Sequence, residues 1–260
     1  MDYRRRILLI WQLAHREVEA RYRGSSLGMF WSIANPLMML AVFTFVFSVV
    51  FQARWAGDNT STFGFAIVTF AGLIVFNLFA EVINRSATLV TSQPNLVKKV
   101  VFPLAILPLV ATASALFHTA VAMTLLLVIQ SLFGSGFHLT ALLAPALLAP
   151  LLLFTLGVAW FLSALGVYVR DVGQIVAPLT TMLMFLSPIF YPVSALPEWI
   201  RPFAAVNPLA MTIEQMRDAL VFGHLPDAGT WALATASGFL AAAFGFVFFR
   251  KTRGGFADVL

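Results

Sequence analysis

A long uncharged run near the N-terminus sets the strongest limit on how this chain can fold. Residues 29–51 carry no formal charge, and a helix of that length can cross a bilayer. The run follows a charged corner, RYRGSSLG at residues 21–28, whose glycines and serines favour a tight bend. Asn35 and Pro36 lie near its start, where neighbouring membrane helices accommodate proline. The stretch predicts a polar entrance that leads into a membrane bundle.

The composition of the whole chain is that of a membrane protein. Only 10% of the 260 residues are charged and 60% are hydrophobic, whereas soluble domains carry about 25% charged residues. The net charge of +5 does not indicate nucleic-acid binding, because the basic residues cluster beside apolar runs, as membrane anchors do. The chain has no cysteine, which excludes a disulfide framework, a thiolate nucleophile and a cysteine metal site.

Residues 4–22 have the pattern of an amphipathic helix. Apolar side chains recur every three or four residues on one face: Ile7, Trp11, Ala14, Val18 and Tyr22. A basic amphipathic helix that carries a tryptophan tends to lie in the membrane interface, although a packed helix of a soluble cap is the alternative. We assign residues 1–24 to a cytoplasmic interfacial helix.

Six further segments are apolar and long enough to span a membrane. The predicted spans are 26–51, 63–86, 103–133, 139–169, 172–191 and 230–249. The fold class is therefore an all-α integral membrane protein, with a transmembrane domain over residues 25–250 and a cytoplasmic tail over 251–260. Small residues in spans three and six form ridges suited to close helix packing: Ala111, Ala115 and Thr119, and Ala234, Gly238 and Ala242.

The distribution of lysine and arginine predicts the orientation. With six spans and an inner N-terminus, three of the 16 basic residues fall outside, namely Arg54, Arg201 and Arg217, and the other 13 fall inside. Because positive charge accumulates on the cytoplasmic side, both termini are predicted to be cytoplasmic.

Span two carries a polar stripe of Asn77, Glu81 and Arg85 at steps of four. Glu81 and Arg85 can pair as i, i+4 neighbours, which lowers the cost of placing them near the membrane. An ionisable residue in a span is a functional candidate by default, so the stripe is either a structural pair or part of a gate. His118, in span three, is predicted to make a hydrogen bond between helices rather than to bind a ligand.

Two segments outside the spans also have helical signals. In residues 89–103, Ser92 is predicted to cap a short helix with Pro94 in its first turn, and lysines mark it as cytoplasmic. Residues 192–228 are too polar to span and too apolar for a free loop. There Asn207 is predicted to cap a helix that Gly223 ends, and we predict a re-entrant or interfacial hairpin on the outer face between spans five and six.

The sequence lacks the common signatures of catalysis. It contains no G-x-x-x-x-G-K-[S/T], H-E-x-x-H or G-x-S-x-G motif and no acidic metal cluster, and its four histidines are scattered. We therefore predict no enzyme, no catalytic residue, and no metal or cofactor bound by this chain. An ion-coupled transporter would need ionisable residues near the midplane, and only Glu81 comes close.

Aromatic residues are abundant, with 26 Phe, 6 Trp and 4 Tyr. Four of them in span one are candidate channel-lining residues: Trp31, Phe43, Phe47 and Phe51. They either face lipid or pack within the bundle, or they form the wall of a conduit. Aromatic faces suit a conduit for glycans because they stack on sugar rings while making few fixed hydrogen bonds.

Four motifs, in order along nearly the whole chain, resemble one family. They are RYRGSSLGMFWSIANPL at 21–37, AGLIVFNLFAEVINRSATLVTSQPNLVKKVVFP at 71–103, LPEWIRPFAAVNPLAMTIEQMRDAL at 196–220 and GFADVL at 255–260. The family is the permease subunit of polysaccharide-exporting ABC transporters, the type-2 exporters of O-antigen, capsule and teichoic acid.

The resemblance implies a homodimer in the bacterial inner membrane above two separate ATPase subunits, which bind ATP and Mg. It implies a cargo of polysaccharide on polyprenyl pyrophosphate, with O-antigen first. The segment 89–101 becomes a coupling helix that docks on the ATPase, and the hairpin at 193–223 becomes an outer gate. The implied coupling residues are Ser92, Gln93, Pro94, Asn95, Lys98, Lys99, Arg170 and Asp171. The implied gate residues are Trp199, Arg201, Asn207 and Glu214.

Arg21 and Arg23 are our hypothesis for the substrate entrance, because their charges can attract the pyrophosphate; membrane anchoring explains them equally well. Two other functions stay open. The same machinery can export a drug or a lipid, and a membrane bundle can act as a scaffold for glycan synthesis without transport. Association with an ATPase separates the scaffold from either transporter.

Overall fold

The computed structural model describes residues 3–50, 62–98, 102–134 and 136–260, and the regular elements in these ranges are all helical. Eleven α-helices are described: α1 Tyr3–Tyr22, α2 Trp31–Phe43, α3 Thr62–Ser86, α4 Pro94–Lys98, α5 Leu107–Phe133, α6 Ala144–Tyr168, α7 Val172–Leu186, α8 Arg201–Val206, α9 Pro208–Arg217, α10 Ala228–Thr252 and α11 Phe256–Val259. Two π-helical segments, Thr44–Val50 and Asp218–Phe222, continue α2 and α9.

Five helical segments are long and apolar enough to cross a membrane. They are Gly28–Val46, Gly64–Ser86, Leu104–Phe133, Leu139–Tyr168 and Ala228–Val259, and they correspond to predicted spans one, two, three, four and six. The chain is therefore a multi-pass membrane protein by the length and composition of its helices.

Predicted span five is shorter than expected. Helix α7 has 15 residues and is about 22 Å long, less than the hydrocarbon core of about 30 Å. It ends at Leu186 because Ser187 is extended (φ −84°, ψ 148°), the conformation that a following proline imposes. A sixth span thus stays a prediction.

Helix α3 lies at the centre of the bundle. It packs against α5, α6, α7 and α9, and its apolar side chains are buried on nearly every face, from Phe65 to Ile83. A helix that is hydrophobic all round is stable only when its neighbours cover it. Among its polar residues, Asn77 and Asn84 stay exposed, whereas Glu81 and Arg85 of the predicted stripe are half-buried.

Small residues bring α6 and α10 into backbone contact. A Cβ added to Gly157 would overlap the backbone of Ala241, and one added to Gly245 would overlap the carbonyl of Gly157. Gly238, in the predicted ridge of span six, lies directly against the carbonyl of Pro150. The predicted ridge of span three is also buried in the packed bundle, since Ala111 and Ala115 have no exposed surface. Both ridges confirm close helix packing.

The helix predicted after residue 207 forms as its local signals indicate. Asn207 caps α9 by accepting a hydrogen bond from the backbone N–H of Leu209 at 3.0 Å, and Gly223 ends the following π segment in the left-handed conformation, with φ of 70°. Unlike a helix on an exposed surface, α9 packs against α3, α6 and α10 and buries nearly all its residues.

Arg217 ties this helix to the centre of the bundle. Its side chain is almost completely buried and donates hydrogen bonds to the carbonyls of Val68, Pro188 and Ile189, and to Glu214 Oε1 at 3.0 Å. The sequence predicted only an outer-side charge here. The carbonyls that accept from Arg217 belong to a distant helix and loop, which no local pattern brings together.

We predict that Gly245→Ala destabilises the protein, because the new methyl group would enter the backbone of α6. Overpacking of this kind costs about 1–3 kcal/mol, which is measured as a lower thermal unfolding midpoint in detergent. The matched control is Gly254→Ala, whose Cβ would meet no described atom within 4 Å. Equal midpoints for the two variants would show that α6 and α10 are not in backbone contact.

Candidate functional site

A cavity of about 250 Å³ lies between α1, α2, α3 and α5. Its wall brings together residues that the sequence assigned to three separate roles: Arg21 from the entrance, Trp31 and Phe43 from the channel, and Asn77 and Glu81 from the polar stripe. Tyr22, Asn35 and His118 add further polar atoms. Arg23, by contrast, is exposed on the turn after α1 and lies outside this wall.

Four charged residues join α1 to α3 beside the cavity. Arg21 Nη2 of α1 donates to Glu81 Oε1 of α3 at 2.5 Å, and Arg85 Nη1 of α3 donates to Glu17 Oε1 of α1 at 2.5 Å. We call these four residues the charge square. Each helix contributes an acid and, one turn later, a base, so the two pairs match when the helices lie antiparallel.

The charge square corrects the predicted pairing of Glu81 with Arg85. Among the described side chains, each of these two residues pairs with α1 rather than with the other. The physical reason is that all four side chains are half-buried or better, with 19–38% exposed. Pairing within α3 would leave Glu17 and Arg21 unpaired at the same contact, and partly desolvated charges are costly without partners.

His118 of α5 adds a third helix to this contact. Its Nδ1 lies 3.1 Å from Arg21 Nη1 and 3.1 Å from Glu81 Oε1, so it accepts from the first or donates to the second according to its tautomer. This confirms the predicted hydrogen bond between helices. The other ring nitrogen, Nε2, is buried without a hydrogen-bond partner among the described residues.

The candidate channel residues are described in part. Trp31 and Phe43 are half-buried in the cavity wall, and the ring of Phe43 lies 5.4 Å from that of Phe190. The side chain of Phe47, and the whole of Phe51, lie outside the described residues. Two of the four predicted residues thus line a cavity, and their role in a channel wall stays a prediction.

The predicted coupling residues gather at one end of the bundle. Ser92 and Gln93 line a second cavity of about 500 Å³ between α1 and the segment before α5, and Pro94, Asn95 and Lys98 are exposed on α4. Lys99 lies outside the described residues. Helix α4 begins at Pro94, so Gln93 is the residue that precedes it. The prediction that Ser92 caps this helix is wrong, because the Ser92 hydroxyl donates to the carbonyl of Leu89 instead.

The turn at Arg170 and Asp171 lies beside this segment. Its position follows from three contacts between the end of α6, the start of α7 and the end of α3. Ser163 Oγ donates to the carbonyl of Ser86 at 2.9 Å, Gly166 lies against the carbonyl of Ala87, and a Cβ on Gly173 would lie 3.7 Å from Thr88 Cγ2. Both charged side chains of the turn are exposed.

The four predicted gate residues do not form one cluster. Trp199 is 73% exposed. Arg201 donates to the carbonyls of Leu196 and Ser194 at 2.8 Å each, which closes its own turn. Asn207 caps α9, and Glu214 pairs with Arg217. Three of the four thus have local structural roles, whereas Trp199 presents a large exposed aromatic surface.

Comparison with known proteins places the fold in a family. The sequence model of the ABC-2 type transporter family matches residues 8–221. This chain belongs to the ABC-2 type transporter family.

Curated relatives cover most of this ABC-2 transporter chain. A Myxococcus xanthus protein named O-antigen export system permease protein RfbA is 32% identical over 87% of this chain and 85% of its own length. A Klebsiella pneumoniae protein of the same name is 25% identical over 95% and 93%. The Escherichia coli polysialic acid transport protein KpsM is 25% identical over 82% and 81%.

Glu17 is the site residue of this transporter that sequence reasoning missed. A signal for it existed, because Glu17 and Arg21 on α1 have the same i, i+4 spacing and the same order of acid and base as Glu81 and Arg85 on α3. Two such pairs on adjacent helices favour cross-pairing over internal pairing. Within the described residues there is also no group of three His, Asp or Glu side chains placed to hold a metal ion.

We predict that Glu17→Arg and Arg85→Glu each destabilise the protein, and that the double variant recovers most of the loss. Reversing one charge places like charges in contact, whereas reversing both restores the pair. A double-mutant cycle on unfolding in detergent should give a coupling free energy of about 0.5–3 kcal/mol. Glu19→Arg is the control, since Glu19 is on the same helix but 60% exposed. Strict additivity would contradict the charge square.

Proposed function

We propose that this chain is the permease subunit of an ATP-driven exporter that moves a polysaccharide, most specifically an O-antigen linked to polyprenyl pyrophosphate, across the inner membrane. The observation that carries the proposal is its similarity along most of its length to permeases named for O-antigen export. The similarity to a polysialic acid transport protein supports the broader class of polysaccharide cargo rather than a drug or a lipid.

The cavity between α1, α2, α3 and α5 has the chemistry to receive the head of such a substrate. Arginine makes strong bidentate hydrogen bonds to phosphate, and Arg21 is the cation in the wall. Trp31 offers a flat aromatic face for a sugar ring, and Asn77 offers amide hydrogen bonds to hydroxyls. The unpartnered Nε2 of His118 supplies one more buried polar atom for the ligand.

Arg21 is already paired with Glu81, so substrate must compete for it. A pyrophosphate carries more charge than one carboxylate and can displace Glu81 from the guanidinium. Glu81 then keeps the hydrogen bond to His118. In this mechanism substrate loosens one of the two ion pairs between α1 and α3, and thereby frees span one to move against span two.

The energy source is a separate ATPase subunit that docks on α4, with the turn at Arg170 and Asp171 as the second contact. Closure of the ATPase on ATP would push α4, and α4 is joined to α3 by residues 87–93. We propose a homodimer with cytoplasmic termini, in which paired copies of the aromatic wall enclose the glycan path.

Six crossings per chain are part of this proposal, and the contacts of α7 support them. Gly173, at its start, lies near Thr88 at the end of α3. The carbonyl of Pro188, just after the end of α7, and the carbonyl of Val68, near the start of α3, both accept hydrogen bonds from Arg217. From Val68 to Thr88 a helix rises about 30 Å, so α7 with its extended continuation covers about the same thickness as α3.

We predict that Arg21→Gln raises the KM for lipid-linked glycan about tenfold or more, because it removes a charged hydrogen bond to the pyrophosphate. Glu81→Gln breaks the same ion pair but keeps the arginine, so its KM should stay equal or fall. Arg23→Gln, outside the cavity, is the matched control. Substrate-stimulated ATP hydrolysis by the complex measures all three. Equal rises in KM for Arg21→Gln and Glu81→Gln would reduce Arg21 to a structural role.

We predict that the chain purifies with an ABC ATPase as a complex of two copies of each, and that Lys98→Glu lowers its recovery while membrane insertion is unchanged. The exposed lysine of α4 would otherwise pair with acids of the partner. Arg5→Glu makes the same charge change on α1 and should assemble normally. Recovery of the chain with no P-loop partner at all would favour the scaffold for glycan synthesis instead.

A further inference from the structure

The last residues of the chain are folded into the bundle rather than free. Phe256, the fifth residue from the end of the sequence, has no exposed surface. Residues 253–255 form a 3-10 turn and Phe256–Val259 form α11. We call residues 252–260 the C-terminal seat. The predicted cytoplasmic tail over 251–260 therefore has a defined structure.

The C-terminal seat is fixed by contacts with α6 and α10. Tyr168 Oη donates to the carbonyl of Thr252 at 2.7 Å, and the ring of Phe256 lies 5.9 Å from that of Tyr168 and 5.5 Å from that of Phe249. A Cβ on Gly255 would lie 2.7 Å from Tyr168 Oη. The chain thus turns closely over Tyr168, and a larger residue at 255 would have to displace that hydroxyl.

The apolar cluster around Phe256 includes α4. Its buried members are Val90, Leu104, Leu107, Ala164, Val167, Phe249 and Phe256, and Leu96, Val97 and Leu260 pack against them. Leu96 and Val97 are the half-buried side chains of α4, whereas Pro94, Asn95 and Lys98 are exposed. Helix α11 also contacts α4 directly. The inner face of α4 therefore rests on the cluster that Phe256 completes.

Helix α4 depends on this support because it is so short. It has five residues, and a helix of one turn or so is not stable by itself in water. A segment that transmits the movement of a partner must nevertheless keep its position relative to the bundle. Otherwise the segment itself deforms and the bundle does not move. The burial of Leu96 and Val97 against the cluster is what holds α4 to the bundle.

We propose that the C-terminal seat fixes α4 for coupling, with Phe256 as the positioning residue and Leu260 as its outer support. This inference rests on the ATPase-driven permease proposed above. The seat does not touch substrate or ATP. It acts by holding α4 against the ends of α3 and α6, so that movement of the ATPase is passed to those helices.

The test uses the assembled complex with its ATPase in lipid nanodiscs, supplied with MgATP and polyprenyl-pyrophosphate-linked O-antigen. Because the chain has no cysteine, a single spin label can be attached through Asn95→Cys on α4, and a reference label through Leu142→Cys, at an exposed site far along the chain. We expect Phe256→Ala to increase the mobility of the label at 95 and not at 142. In complexes that carry no label, because Asn95 lies on the proposed docking face of α4, we also expect Phe256→Ala to raise the ATP hydrolysed per glycan exported severalfold, with KM for ATP unchanged.

Two further variants separate positioning from a general loss of structure. Phe256→Leu keeps an apolar side chain in the cluster and should restore coupling, and Val259→Ala, on the exposed side of α11, should behave as wild type. If Phe256→Ala cannot be recovered, Leu260→Ala removes a peripheral contact and should show the same changes more weakly. Wild-type label mobility and wild-type coupling in both Phe256→Ala and Leu260→Ala would overturn the inference. A wild-type chain that binds no ATPase would instead overturn the proposed function.

Discussion

The charge square between α1 and α3 is the interaction on which the candidate site depends. In one ion pair the arginine belongs to α1, and in the other it belongs to α3. Only one register of α1 against α3 therefore satisfies both pairs. The four side chains are partly removed from water, which reduces screening by salt and raises the cost of leaving any one unpaired. The contact fixes one wall of the smaller cavity through Arg21 and one wall of the larger cavity through Glu17. Both cavities therefore exist because α1 is held against the buried helix α3.

Helix α3 connects the features that the proposed function needs. Near its start, Val68 accepts a hydrogen bond from Arg217 and so anchors α9; in its middle, Asn77 and Glu81 face the cavity; at its end, Ser86 accepts a hydrogen bond from α6 and the chain continues towards α4. A helix of 25 residues is about 38 Å long and moves largely as one body. A displacement of α4 can therefore reach both the cavity beside Glu81 and helix α9 through a single element.

What the sequence predicts correctly rests on local patterns, and what it misses rests on adjacency in space. Long apolar runs predict the spans, and Asn207 with Gly223 predicts both ends of the helix that follows, because capping acts within a few residues. The pairing of Glu81 with Arg21, and the burial of Arg217 on three distant carbonyls, depend on which helices are neighbours. Span five falls between these cases: its apolar residues are recognisable, but the effect of Pro188 on the last turn shortens the helix.

Helix α4 lies between the two ends of the chain, and this placement resolves an apparent contradiction in its role. A helix of five residues is not stable by itself, yet the proposed function requires α4 to transmit the movement of the ATPase. Leu96 lines the cavity whose opposite wall is α1 and also packs on the cluster of the C-terminal seat. The first helix, held by the charge square, and the last helix, held by Phe256, thus bound α4 from two sides. Its stiffness comes from these neighbours rather than from its own length.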